Sequence, residues 1–249
     1  MPPGTHRYYD VAVVMITRNE ERAVEKVVRD AMEALPGAEI FVIDGSDDAT
    51  PEIAARAGAI VIREPGGGFG PALHAALLAP TRPIIATVDA DDTYPATAFP
   101  KLVELIREGW DVAGADRLVT RPPAAMPFAN WIANAMFSAL GSLRARTRLR
   151  DVHSGQRAYR AEVLHSFDWD YTGLAFPVDL LLWPALEGLR VTEIPIAYSS
   201  RIGETTLNRW KSGRATIRRL ARRRSSVKKS LRTTTDQRLS SALSLRPLD

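Results

Sequence analysis

The sequence predicts an α/β protein, a mainly parallel Rossmann-like sheet flanked by helices, with a basic helix added near its C-terminal end. Three observations carry this prediction. Short β-branched runs alternate with helical stretches through the first 115 residues, and polar clusters follow those runs. The charge is also divided, with an acidic body and a basic tail.

Taken in order, residues 11–16 read as a strand, 20–35 as a helix, 39–43 as a strand, 50–57 as a helix, 59–63 as a strand, 71–78 as a helix and 84–89 as a strand. Repeated β-α-β connections make neighbouring strands parallel, and ligands collect at the carboxyl ends of such strands. Thr17-Arg18-Asn19-Glu20, Asp44-Gly45-Ser46-Asp47-Asp48 and Asp89 to Asp92 all fall there. Beyond residue 116 come a Pro-containing loop, an apolar helix over 127–140, an Arg-rich stretch to Arg150, extended chain over 151–159 and a strand over 191–198. Residues 1–212 therefore form the expected α/β body, and 213–249 a basic amphipathic helix with a polar tail.

A chain of 249 residues with 45% hydrophobic and 25% charged content is large enough to fold around a substantial core. The absence of cysteine excludes disulfides, thiolate zinc sites and a cysteine nucleophile. The N-terminal residues lack the charged-then-apolar layout of a secretory signal, and no stretch reaches the roughly 18 to 20 apolar residues needed to cross a bilayer. The expectation is a cytoplasmic chain, peripheral on the inner face of a membrane. Residues 208–249 hold 13 Lys and Arg against two Asp, leaving 20 basic against 27 acidic residues upstream. The net charge of +4 thus hides a body near −7 and a tail near +11.

At the end of an apolar run, Asp89-Ala90-Asp91 places two carboxylates on one side of an extended chain. There they can hold a hard divalent cation, Mg²⁺ or Mn²⁺, together with the diphosphate bound to it. An isolated Asp-x-Asp is more often a solvated acidic turn at a strand end. Gly66-Gly67-Gly68-Phe69-Gly70 before a helix reads either as a phosphate cradle or as a flexible loop. It matches neither Gly-x-Gly-x-x-Gly nor a Gly-Lys-Ser/Thr loop. The four histidines show no metal-ligand spacing.

Residues 11–21 (Val-Ala-Val-Val-Met-Ile-Thr-Arg-Asn-Glu-Glu), 42–50 (Val-Ile-Asp-Gly-Ser-Asp-Asp-Ala-Thr) and 88–95 (Val-Asp-Ala-Asp-Asp-Thr-Tyr-Pro) resemble glycosyltransferase family 2 in order and interval. The nearest likeness is to its polyprenyl-phosphate mannosyl- and glucosyltransferases. Gly114 to Arg117, Asp151 to Arg157 and Glu193 to Thr205 extend the resemblance over about residues 10 to 212. It implies a GT-A fold, a nucleotide diphosphate sugar donor and inversion at the anomeric carbon. It places Thr17, Asn19, Glu20, Asp44 and Ser46 at the donor base and ribose, Gly70, Asp89 and Ala90 along the donor, and the metal on Asp91 with Asp89. It implies phosphate-binding roles for Arg117, Ser154, Arg157 and Arg201, and a general-base position at Asp179. Two positions depart from the family: Ile43 replaces an acid, and Thr206 replaces a Lys that Arg209 or Lys211 would have to supply.

These residues leave three readings. One is transfer of mannose or glucose to a polyprenyl phosphate, whose ionised phosphate needs no strong base. The second has a soluble hydroxyl acceptor served by Asp179. The third is a nucleotide-sugar or nucleic-acid binding protein without catalysis, disfavoured by the two intact metal-site carboxylates. Phe128, Trp131, Ile132, Ala135, Met136 and Leu140 share one helical face that suits either core packing or an interface near a lipid acceptor. In the tail, Trp210, Ile217, Leu220, Val227 and Leu231 line a stripe among arginines and lysines, as on a helix lying on an anionic membrane surface. Nucleic acid ranks lower as a partner because no recognised binding motif accompanies the charge.

Overall fold

The structure, a computed structural model, describes residues 8–64, 66–119, 125–203 and 209–222, with the backbone alone described at 209–211. In chain order the strands are β1 (Val11–Thr17), β2 (Glu39–Asp44), β3 (Ile60–Arg63), β4 (Ile84–Thr87), β5 (Val112–Asp116), β6 (Arg157–Arg160) and β7 (Val191–Pro195). The helices are α1 (Val24–Ala34), α2 (Thr50–Arg56), α3 (Phe69–Leu78), α4 (Phe99–Arg107), α5 (Phe128–Ala145), α6 (Ala161–His165), α7 (Phe176–Leu186) and α8 (Arg209–Ala221). The strands form one sheet in the order β3-β2-β1-β4-β6-β5-β7. Only β6 runs antiparallel, between β4 and β5.

Strand β1 accounts for the two-sided core. Val11, Val13 and Met15 enter a cluster with Val24, Val28 and Leu102, while Ala12 and Val14 enter another with Ala76, Leu77 and Phe176. Period-two alternation on a strand apolar on both faces requires helices above and below it. The helix expected over 20–35 starts only at Val24, and Val24, Val27, Val28 and Ala31 form its buried face. The stretch 99–107, given no element above, is α4, whose Phe99, Leu102, Val103 and Ile106 are buried at helical spacing. Helix α7 shows no such stripe in sequence because it is buried on nearly every side from Phe176 to Ala185.

Several expected strands are shorter than predicted: β3 starts at Ile60 and β7 ends at Pro195. β4 stops at Thr87 because the chain then turns, Asp91 Oδ1 accepting the Thr93 amide and hydroxyl at 3.2 and 2.6 Å. Of the extended stretch 151–159, only Arg157 onward joins the sheet, because Asp151 accepts the His153 amide in a turn. The apolar face read on α5 lies on the surface: Phe128, Ile132, Met136 and Leu140 are 45–59% exposed, whereas Phe137, Ser138 and Gly141 are buried. Core packing is therefore excluded for that stripe. The expected boundary at 212/213 falls within α8, which packs against α5 and α7. Val227, Leu231 and the basic residues beyond 222 lie outside the described residues, as does Thr206. No described helix is long and apolar enough to cross a membrane.

The far end of the sheet is fastened by buried Asp111. It accepts the Arg190 amide at 2.9 Å ahead of β7 and pairs with Arg160 of β6 at 2.6 Å. Asp111→Ala is expected to lower stability by about 3 kcal/mol, since it strands Arg160 without its buried counter-charge; thermal and denaturant unfolding of the purified variant measure this.

Candidate active site

The carboxyl ends of β1 and β2 meet at Asp44, whose side chain is fully buried. Its Oδ1 accepts the Thr17 hydroxyl at 2.8 Å and the Ser46 hydroxyl at 2.6 Å, and its Oδ2 accepts the Ser46 amide at 3.2 Å and Arg63 Nη1 at 2.6 Å. Ser46 Oγ also accepts the Asn19 amide at 2.8 Å, and Asn19 Oδ1 accepts the Asp47 amide at 3.0 Å. Asn19 adopts φ +60°, a left-handed conformation that Asn tolerates better than most residues. Thr17, Asn19, Asp44 and Ser46 are thus brought together as predicted. Arg63 was missed, although it ends a strand on this edge; its 69% exposed side chain covers Asp44.

Beside this network stands an acidic cluster. Arg201 bridges Asp91 Oδ2, at 3.1 Å from Nη1, and Glu20 Oε1, held by Nη2. The 196–203 segment carrying Arg201 is registered by Ile202 donating to the Asp91 carbonyl at 3.0 Å and Ser199 donating to that of Thr93 at 2.9 Å. Burial pushes the Glu20 carboxyl up to about 7 despite Arg201, and the Asp91 and Asp89 charges add to the rise. Burial, and then the Asp91 charge, push Asp89 up to about 6. Arg117, Arg201 and Arg157 pull the Asp89 carboxyl down, but burial and the Asp91 charge outweigh them.

Gly155 supports Asp89 from below: a Cβ there would lie 2.5 and 2.6 Å from the two carboxylate oxygens. The Gly155 amide donates to Tyr94 Oη at 2.7 Å, and its carbonyl accepts the Thr87 hydroxyl at 2.7 Å. A cavity of about 30 Å³ opens here between Phe69 and Leu73 of α3, Asp89, Gly155 and Pro177. A groove of about 410 Å³ lined by His74, His165, Trp169 and Tyr171 contains none of the predicted site residues.

The donor set suits a hard divalent ion. Asp89 and Asp91 offer oxygen ligands in a region of excess negative charge, and the Gly155 cradle leaves room that a side chain would fill. Among the described residues no group of three or more His, Asp or Glu is preassembled for a metal. Two carboxylates match a cation that keeps water or phosphate oxygens as its remaining ligands.

Other predicted residues stand differently. Arg117 is buried against Asp151, with Nε to Oδ2 at 2.6 Å and Nη2 to Oδ1 at 2.9 Å, and lies over the Tyr94 and Tyr198 rings at 5.9 and 5.3 Å. Burial pushes the Asp151 carboxyl up, but Arg117 outweighs it and holds the group below the usual carboxylate range. Arg157 donates to the carbonyls of Pro177 at 2.6 Å and Val152 at 2.8 Å. Neither guanidinium is presented as an open phosphate clamp; both brace the 151–157 loop. Ser154 is buried in that loop, and Ala90 is buried beneath Asp89 and Asp91. Asp179, 1% exposed, is bonded to Arg219 of α8, and burial raises its carboxyl. Gly70 is required by packing, because a Cβ would strike the Tyr171 carbonyl. Gly66, Gly67 and Gly68 before it all have positive φ.

An α/β sheet with a buried aspartate pocket and an acidic cluster at its carboxyl edge defines a nucleotide-binding enzyme scaffold. The family model for glycosyl transferase family 2 matches residues 12–167, and the chain belongs to that family and is a glycosyltransferase. It is 43% identical over 212 residues to a dolichyl-phosphate hexose transferase of Haloferax volcanii, covering 84% of this chain and 92% of that one. It is 29% identical to an undecaprenyl-phosphate mannosyltransferase of Micrococcus luteus, over 83% and 91% of the two chains. Among solved structures, the glucosyl-3-phosphoglycerate synthase of Mycobacterium tuberculosis, in complex with Mn²⁺, UDP and phosphoglyceric acid, superposes with a TM-score of 0.67 over 84% of this chain and 78% of that one. At 21% identity that likeness supports the GT-A fold.

Gly155→Ala tests the cradle. The added methyl must displace Asp89, so divalent-ion-dependent nucleotide binding is expected to weaken at least about tenfold while the melting temperature falls little, as read by calorimetric titration and thermal unfolding.

Proposed function

We propose that this enzyme is an inverting transferase that moves a hexose, mannose or glucose, from a nucleotide diphosphate sugar to a polyprenyl phosphate. The observation that carries the reading is the desolvated cluster of Asp89, Asp91 and Glu20 around Arg201, at the edge where the Asp44 pocket opens. The 43% identity to a dolichyl-phosphate hexose transferase over nearly all of that protein supports the acceptor class.

In this reading Asp44 accepts a ring N–H of the base, with Thr17 and Ser46 orienting its carboxylate and Asn19 and Glu20 closing the ribose side. Arg63 must yield Asp44 Oδ2 or donate to a base carbonyl. Asp91, with Asp89 assisting, would hold Mg²⁺ or Mn²⁺, which supplies charge neutralisation at the departing diphosphate. Arg201 then turns from Asp91 toward phosphate oxygens, exchanging one anionic partner for another. The backbone amides of 66–70 approach the diphosphate at the start of α3, and Ala90 keeps the Asp-x-Asp turn close to the donor. Arg117, Ser154 and Arg157 shape the acceptor side through the 151–157 loop they brace. The acceptor phosphate oxygen is already ionised and attacks the anomeric carbon directly, so no base is required. Asp179, enclosed with Arg219, argues against the soluble hydroxyl acceptor.

The exposed ridge of Phe128, Ile132, Met136 and Leu140 on α5 and the outward Arg214 and Arg218 of α8 support contact with an anionic membrane surface, where a polyprenyl phosphate resides. In this reading the enzyme is peripheral, on the cytoplasmic face, and the basic residues beyond 222 add to the attraction.

Nucleoside diphosphate release, followed across a panel of nucleotide sugars with Mn²⁺ or Mg²⁺, is expected to require a short polyprenyl phosphate. Release driven instead by hydroxyl acceptors would overturn the acceptor class. Asp91→Asn is expected to cut turnover by about 100-fold or more with the fold retained; undiminished turnover would sink the metal assignment. Removal of residues 223–249, which spares α8, is expected to weaken binding to anionic liposomes in sedimentation assays, more so at low salt.

A further inference from the structure

The basic run of the C-terminal helix reads as a solvated face, yet one of its arginines is turned inward. Arg219 is 5% exposed, while Arg214 and Arg218 point outward and Arg222, at the surface, pairs with the Asp170 carboxylate. Its Nη1 reaches Asp179 Oδ2 and donates to the Asp170 carbonyl at 2.5 Å, and its Nη2 donates to the Thr172 carbonyl. A surface charge needs none of these partners; Arg219 holds the turn that leads into α7.

That turn packs against α3, the helix that follows the glycine-rich loop. The carbonyls of Tyr171 and Gly173 occupy the space a Cβ on Gly70 would need, and the Tyr171 ring stacks on His74 of α3 at 4.2 Å. The 170–173 segment is therefore pressed on the start of α3, directly after the glycine-rich loop. A second attachment lies one turn away on α8. Thr216, fully buried, shares a hydrogen bond of 2.8 Å with His153 Nε2, and its hydroxyl also lies 3.0 Å from the Ser212 carbonyl. His153 belongs to the loop whose Gly155 supports Asp89. Arg144 of α5 donates to the carbonyls of Arg219, at 3.1 Å, Leu220 and Arg222, capping α8 where its carbonyls lack helical partners.

We propose that Arg219 is a positioning residue for the transfer reaction: through it α8 fixes the 170–173 turn against the start of α3, while Thr216 fixes the 151–157 loop under Asp89. The two attachments set the spacing between the donor-side helix and the acceptor-side loop. The inference rests on the transferase reading for its effect on turnover, but the fastening itself is independent of it.

The test compares wild type with Arg219→Lys, Asp179→Asn and the double variant Arg219→Met/Asp179→Leu. The double change removes both charges of the buried pair, a replacement that such sites commonly tolerate, and also removes the two carbonyl bonds. Hydrogen exchange of residues 170–173 is expected to quicken about tenfold or more in the double variant, with the melting temperature near wild type. Asp179→Asn, which keeps the carbonyl bonds, is expected to retain wild-type exchange there. In turnover, the double variant is expected to lose about tenfold or more in kcat/KM for the polyprenyl phosphate while nucleoside diphosphate binding stays within about twofold, and Arg219→Lys recovers part of the loss. Wild-type exchange and kcat/KM in the double variant would overturn the proposal, reducing Arg219 to a counter-charge for Asp179. Equal loosening in Asp179→Asn would also overturn it. If wild type transfers no sugar to any acceptor, the functional reading falls, and the exchange rates alone decide whether Arg219 fastens the turn.

Discussion

Arg201 holds Asp91 and Glu20 together at the carboxyl edge of the sheet; without that guanidinium, these two carboxylates would face each other with no cation bridging them. Burial first, and then the neighbouring carboxylates, raise Glu20 to about 7 and Asp89 to about 6 against the pull of nearby arginines. The surrounding structure keeps this charge from dispersing. Gly155 blocks retreat of Asp89, Thr93 occupies one oxygen of Asp91, and backbone bonds from Ile202 and Ser199 keep Arg201 beside them. A site held so far from neutrality is built to receive compensating charge.

Around this cluster the protein uses arginines for two different tasks. Arg117, Arg157 and Arg219 are buried, and their hydrogen bonds go to carboxylates and carbonyls of the protein. Such pairs add little net stability over apolar packing but punish the loss of one partner heavily, so they specify geometry. Arg63 and Arg201 are more exposed and cover carboxylates that a donor would need, so they can exchange partners when a ligand arrives. The distinction rests on burial, which residue type alone does not reveal.

Helix α8 links the two halves of the site to the surface. Its inner face carries Thr216, Arg219 and Leu220, its outer face Arg214, Ile217 and Arg218, and it packs beside the exposed apolar ridge of α5. One helix therefore braces the loop beneath Asp89 on its inner face and presents charge on its outer face.

Much of this was legible in the sequence. Period-two and helical spacing located most of the parallel strands and their helices, because burial on both faces leaves a regular apolar record. The Asp89-Ala90-Asp91 motif and the polar clusters after β1 and β2 marked the site, since loops at strand ends carry the ligand groups of such sheets. Thr17, Asn19, Asp44 and Ser46 were placed together correctly for that reason. Helix α7 escaped notice because a segment buried all round has no periodicity to detect. Arg63, Gly155 and Tyr94 were invisible as site residues because their roles depend on contacts across the sheet. Which face of α5 meets solvent, and which arginines are buried, was likewise decided by tertiary structure. A helix stripe or a charge run states only that one side differs from the other; packing against distant segments chooses which side turns inward.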